Sequence, residues 1–344
     1  MSSRETGQET GRSVVWTTGS LGATCTHLPI LAQLARSGRQ IVVVASSDEA
    51  RVLDPTLMRL RLDHTPDALD APLSLDRSTL TVELLARLEP DEAIVLRPGV
   101  RQLQQAARAG IDRRFALAPA WRLDVGVLAT VRVAPPPGHR EKAAEALGAA
   151  LEAAGLGTRP DAPGTASSDG TQLVVPKTWH RVGAERLDAA KIDREAPVLG
   201  VVATRAGGAV GRWSGWTRPR FTELLQGLRR RDPSRQIVLL TPAGDLWHAV
   251  RLHETTGKIH PVIGPDLPLD GLAAVLGHLD LVVGHDSTLL ELAAAVGIGT
   301  VGLYTRGSTR RAPRGARHHA FERRHLGALR VETVLDAVDR LLAD

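Results

Sequence analysis

Leu281-Val282-Val283-Gly284-His285-Asp286-Ser287-Thr288-Leu289-Leu290-Glu291-Leu292-Ala293-Ala294-Ala295-Val296-Gly297, closed by Thr300-Val301-Gly302-Leu303-Tyr304, is the most specific block in this chain. The apolar triplet 281–283 predicts a buried strand, and 284–288 the turn after it. The Leu/Ala-rich run 289–296 predicts a helix that stops at Gly297. Residues 300–304 predict the next strand. Strand, turn, helix and strand in this order make a βαβ unit, which implies a parallel sheet.

The alternation extends outward in both directions. Val198–Val202 and Ile237–Leu240 predict strands, and 218–230 and 269–276 predict helices. Pro219 falls in the first helical turn, where its missing N–H costs nothing. Near the N-terminus, Val14-Val15-Trp16 runs into the turn Thr17-Thr18-Gly19-Ser20-Leu21-Gly22. A helical pattern through Leu28, Ile30, Leu31 and Leu34 follows, and then Ile41-Val42-Val43-Val44. Ala93–Leu96, 101–110 and the Ala/Leu/Glu-rich 139–156 continue the series more loosely. The expected architecture is α/β, with two Rossmann-like doubly wound domains. Residues 1–12 read as disordered, 13–190 as a first domain and 191–328 as a second. The stretch 331–343, within a C-terminal segment 329–344, reads as a helix able to lie back across the first domain.

A chain of 344 residues is long enough for two cores of roughly 150 residues each. With three Phe, one Tyr and six Trp, those cores must be filled by Leu, Val and Ala. The net charge of +5 is carried by scattered arginines, without the stacking aromatics of a nucleic-acid groove. Cys25 is the only cysteine, which rules out an intrachain disulfide and a cysteine-based metal cluster. The absence of a secretory pattern and of an apolar run near 18 residues reads as a cytoplasmic protein with at most peripheral membrane contact. No Asp-x-Asp in a strand-end loop and no His/Cys cluster calls for a metal, and no cofactor is expected.

Three Gly-rich turns, 17–24, 203–214 and 284–288, follow predicted strands. Such turns present backbone N–H groups and helix N-termini, which suit phosphate. None has Walker A or full dinucleotide spacing. An Asp-Ser pair such as Asp286-Ser287 also serves as a plain helix cap.

The C-terminal block resembles the heptosyltransferase family of bacterial glycosyltransferases, family 9, which pairs an Asp-Thr/Ser-containing turn with an Ala-rich helix and an Arg/Pro-rich tail. Gly19–Leu28-Pro29 looks like that family's first loop and helix. Arg212-Trp213 with Phe221–Leu224 looks like its basic loop and following helix. The resemblance implies a GT-B fold. It also implies transfer, with inversion, of a sugar such as a heptose from an ADP-linked donor to a hydroxyl of a saccharide, glycolipid or small-molecule acceptor. It assigns Arg212 to the donor diphosphate, Thr204 to the donor, Asp245 and Leu267 to the nucleoside, and Asp286, Ser287, Thr288 and Glu291 to the diphosphate or sugar. Ser20 and Gly22 complete the donor set from the first loop.

Two departures bear on catalysis. The family's first loop carries an Asp, held to be the general base, where this chain has Ala23. The family's His in the Ala-rich helix is Glu291 here. If one helix starts near Gly22, His27 shares a face with Ala23 as i and i+4, making it a replacement base. A nucleotide-sugar epimerase on the same fold and a catalytically impaired nucleotide-sugar-binding protein remain as alternatives. The first demands more acidic and basic residues than the first loop offers. The second follows from Ala23.

Overall fold

The computed structural model describes residues 11–66, 72–97, 99–119, 121–134, 140–157, 172–202, 216–241, 246–309, 312–313 and 317–343. The chain divides into two units. One comprises Met1–Gly19, His27–Pro137 and Glu141–Asp161, and the other Ser20–Thr26, Gly138–Arg140 and Ala162–Asp344.

The first unit holds a six-stranded parallel sheet. Its strands are β1 (Arg12–Trp16), β2 (Gln40–Ala45), β3 (Ser74–Asp76), β4 (Glu92–Val95), β5 (Arg113–Leu117) and β6 (Val131–Val133), in the order β3-β2-β1-β4-β5-β6. The residues of β2 are all buried, as a sheet covered on both faces requires. Helices α2 (Leu28–Arg36), α3 (Ser47–His64), α4 (Val82–Arg87), α5 (Val100–Arg108), α6 (Leu123–Leu128) and α7 (Arg140–Ala153) complete this unit. Buried Glu92 is matched by Arg39, at 2.5 Å, so its charge is paired rather than stranded.

The second unit repeats the plan. Strands β7 (Val198–Val202), β8 (Gln236–Leu240), β9 (Val262–Ile263), β10 (Leu281–His285), β11 (Gly299–Thr305) and β12 (His318–Arg323) run parallel in the order β12-β11-β10-β7-β8-β9. Helices α8 (Lys177–Ala189), α9 (Arg218–Arg231), α10 (Leu246–Thr255), α11 (Leu269–Leu276), α12 (Thr288–Ala295) and α13 (Val331–Ala343) surround it. Counted along the chain, both sheets have the strand order 3-2-1-4-5-6, and each has one point where the winding reverses. In the first unit that point lies between β1 and β4, and in the second between β7 and β10.

One expectation is corrected. The helix expected from Gly22 through Leu34 is two helices, α1 (Leu21–Cys25) and α2, broken at Thr26–His27. Pro29 explains the break, because it cannot donate to the carbonyl of Cys25 and its ring would crowd that carbonyl. Helix α8 lies in the second unit, where it packs on α11. The terminal helix α13 belongs to the second unit. It packs on α9, β10 and β11, with Val334, Leu335 and Val338 buried in that unit's core. Arg231 also ties α9 to Asp339 and Asp336 of α13, at 2.5 and 2.8 Å. The expected disorder of 1–12 lies outside the described residues up to residue 10.

Candidate functional site

In a doubly wound sheet a ligand has room where neighbouring connections leave on opposite faces, beyond the strand C-termini. In the second unit that is the end of β7 and β10. Gly284 of β10 lies opposite Val202, the last residue of β7. A methyl group on Gly284 would stand 2.6 Å from the Val202 carbonyl oxygen, so only glycine lets the two strands meet here. The chain then leaves β7 into 203–215 and leaves β10 through Asp286-Ser287.

A buried imidazole fastens this edge. His285 is 2 % exposed, and its Nε2 accepts the backbone N–H of Trp216 at 3.0 Å. Nε2 is therefore the unprotonated nitrogen in this contact. Phe221 stacks edge-on against both Trp216 and His285, at 5.6 and 5.1 Å between ring centres. The Trp216 indole N–H donates to the Leu329 carbonyl at 3.2 Å. The exit of the 203–215 connection is thus pinned beside the residue preceding Asp286. His285 and Trp216 escaped the sequence reading, since nothing local in either stretch announces the other.

Beyond His285, the Asp286 N–H donates to the Leu303 carbonyl at 3.3 Å. Ser287, not Asp286, is the N-cap of α12: its side chain accepts from the Leu290 N–H at 3.3 Å. Its hydroxyl is therefore engaged by the helix. Thr288 is exposed and Asp286 half-buried. Glu291 stands one residue beyond the position a capping box uses, so the cap does not account for it. It lies over Gly22 of α1 instead. A Cβ built on Gly22 would overlap the Glu291 carboxylate and come within 2.6 Å of its Cβ. The contact α1–α12 thus depends on glycine at 22, the residue before Ala23.

Ser20 precedes α1 as its N-cap, with no side-chain hydrogen bond to the helix. Leu267 sits at the opposite side of the sheet, in the turn after the edge strand β9, and its N–H is bonded to the Gly264 carbonyl at 3.1 Å. Gly264 has φ +111°, and a side chain there would strike the Thr241 carbonyl. His27 is 4 % exposed and caps α2. The helical i, i+4 relation to Ala23 therefore does not exist. Thr204, Arg212 and Asp245 lie outside the described residues. Among the described residues no three His, Cys, Asp or Glu side chains converge as a metal site requires. No helix among them is long and apolar enough to cross a membrane.

Residues 184–328 match the model of glycosyltransferase family 9 (heptosyltransferase). That segment of the chain is similar to family 9. The matched segment runs from within α8 past β12, and so includes the β7–β10 edge. Among solved structures, a family 9 glycosyl transferase from Veillonella parvula DSM 2008 is similar over 97 % of both chains, with TM-score 0.74 and 17 % identity. E. coli ADP-heptose lipopolysaccharide heptosyltransferase II aligns over 96 % of this chain and 98 % of its own, with TM-score 0.71 and 17 % identity. E. coli heptosyltransferase WaaC with ADP-2-deoxy-2-fluoro heptose aligns over 96 % and 99 %, with TM-score 0.64 and 17 % identity. At these identities the likeness is one of fold, and that fold is GT-B. A comparison with curated proteins gives no sequence match. The likeness of this segment to family 9, together with the fold, supports a glycosyltransferase.

Proposed function

We propose that this family 9 glycosyltransferase moves a sugar, with inversion, from a nucleoside diphosphate donor to an acceptor hydroxyl. The donor read from the family is an ADP-linked heptose or a close relative. The acceptor is a saccharide, a glycolipid or a small molecule. The observation that carries this reading is the β7–β10 edge, where a required glycine, the pinned exit of 203–215 and the mouth of α12 meet within the family-matched segment.

On this reading the diphosphate lies over β7 and β10. The family resemblance assigns Arg212 and Thr204 to it, and Asp286, Ser287 and Thr288 meet it from α12 by their backbone. A guanidinium fork offsets the charge that grows on the leaving diphosphate. The nucleoside extends across β8 toward Leu267, with Asp245 assigned to it by the resemblance, and Ser20 and Gly22 border the sugar. In the transfer the acceptor hydroxyl loses its proton, its oxygen bonds to the anomeric carbon, and the carbon–phosphate oxygen bond breaks. The nucleoside diphosphate departs with the bonding pair. Glu291 receives the proton. Its position against Gly22 supports this role over His27, which is enclosed at the α1–α2 junction.

The test is incubation with ADP- and UDP-linked sugars, with and without saccharide acceptors and with EDTA present, read by mass spectrometry. A glycosylated acceptor and released ADP, formed only with acceptor present and despite EDTA, are expected. An isomerised sugar formed without acceptor would make the protein an epimerase. Absence of turnover with retained ADP binding would make it a binding protein.

A further inference from the structure

The first unit carries an unusual surface. Val127, Trp121 and Leu123 are 84 %, 75 % and 73 % exposed, more than any other large apolar side chain among the described residues. All three fall within seven residues on and before α6. Leu123 and Val127 are i and i+4 on one face of that helix, while Val125 is fully buried on the other. Isolated exposed apolar residues are ordinary, but a cluster containing the extremes of the molecule marks a contact surface.

Charge identifies the partner. Residues 97–134 hold seven arginines, two aspartates (Asp112 and Asp124), and no lysine or glutamate. Seven minus two is +5, equal to the net charge of the whole chain. Three of these guanidiniums frame α6. Arg122 caps its start, with its charge centre 5.8 Å from the Trp121 ring. Arg132 reaches to 2.8 Å from where a Cβ on Gly126 would be. Arg114 Nε donates to the Leu128 carbonyl at 2.7 Å. Asp124 is the single acid on α6, and it is paired with Arg122 at 2.8 Å. Apolar side chains that include a tryptophan, set in an arginine-rich field, are the composition that inserts at an anionic lipid–water boundary.

We propose that α6 with Trp121 is a docking surface for an anionic lipid bilayer, entered by Trp121, Leu123 and Val127 and steered by the surrounding arginines. The surface works independently of the donor site, so loss of one leaves the other measurable. The test is co-sedimentation of the full chain with vesicles of equal parts phosphatidylglycerol and phosphatidylcholine, and with phosphatidylcholine alone. Wild type should sediment with the mixed vesicles and be released by salt. The triple variant Trp121→Ser, Leu123→Ser, Val127→Ser should bind them on the order of tenfold or more weakly while melting like wild type. The pair Arg122→Gln, Arg132→Gln should lower the dependence on phosphatidylglycerol. Equal sedimentation of the triple variant, indifference of wild type to phosphatidylglycerol, or a self-association in ultracentrifugation that the triple variant abolishes would each overturn the proposal.

Discussion

Replacing Gly284 with alanine tests the donor edge at its tightest point. The new methyl would meet the Val202 carbonyl oxygen at 2.6 Å and the Val202 Cβ at 2.7 Å, where ordinary contact begins near 3.4 Å. The oxygen is backbone, so relief requires β7 and β10 to part by about 0.8 Å, the difference between 3.4 and 2.6 Å. Overpacking of this kind costs about 1–3 kcal/mol. For a unit of this size that lowers the melting temperature by roughly 2–12 °C. The displacement falls where the diphosphate is placed, and a shift near 1 Å in a reacting geometry costs up to about 10²-fold in kcat/KM. Scanning calorimetry with and without ADP, together with turnover, reads both effects. Gly327→Ala is the control, since a Cβ there meets nothing within 4 Å. A Gly284→Ala protein with wild-type melting and wild-type ADP affinity would refute the reasoning about this edge.

Arg212→Ala should weaken ADP binding by about 1.5–3 kcal/mol in calorimetry, the loss of a charge-assisted contact, and unchanged affinity would remove Arg212 from the site. Glu291→Gln should lower the single-turnover rate by roughly 10²–10⁴-fold with ADP affinity retained, and Ala23→Asp in that background should recover part of it. If His27→Ala shows that loss and Glu291→Gln does not, the base is His27. Stability should fall in acid through His260, which is 2 % exposed. Burial, and then the charges of Arg229 and His253, push its pKa down from 6.5 to about 4. Above pH 6.5 both folded and unfolded chains hold it neutral. Between 6.5 and 4 only the unfolded chain gains the proton, so stability drops as pH falls, by up to about 3 kcal/mol from this residue. Urea unfolding at pH 7 and 4.5 should show a smaller pH difference in His260→Gln.

Elements whose apolar period is uninterrupted were legible in the sequence. The helix 269–276 and the strands ending at Val202, Leu240 and Thr305 needed only local pattern. Where one residue contradicts its surroundings the reading failed. Pro55 inside α3 hides an 18-residue helix whose real signal is the capping box of Ser46 and Glu49. Pro29 splits what the apolar spacing presents as one helix. The edge strand β12 buries only Phe321 and carries no readable alternation. The amphipathic face of α13 was visible, but its partner was not, because Arg231 and Arg235 lie about a hundred residues away from Asp339. The site divides in the same way. Asp286-Ser287 announces itself by its place after a strand. The seating of Glu291 over Gly22, and of Trp216 on His285, joins distant segments through the fold, and no local pattern encodes them.

The central claim, that a nucleoside diphosphate binds across β7 and β10, is tested most directly by amide hydrogen exchange of the full chain with saturating ADP. Slowed exchange is expected in peptides covering 203–215 and 284–291, with the first unit's β4–β6 region unchanged. ADP binding that protects neither of those peptides, or protects the β4–β6 region instead, would contradict it.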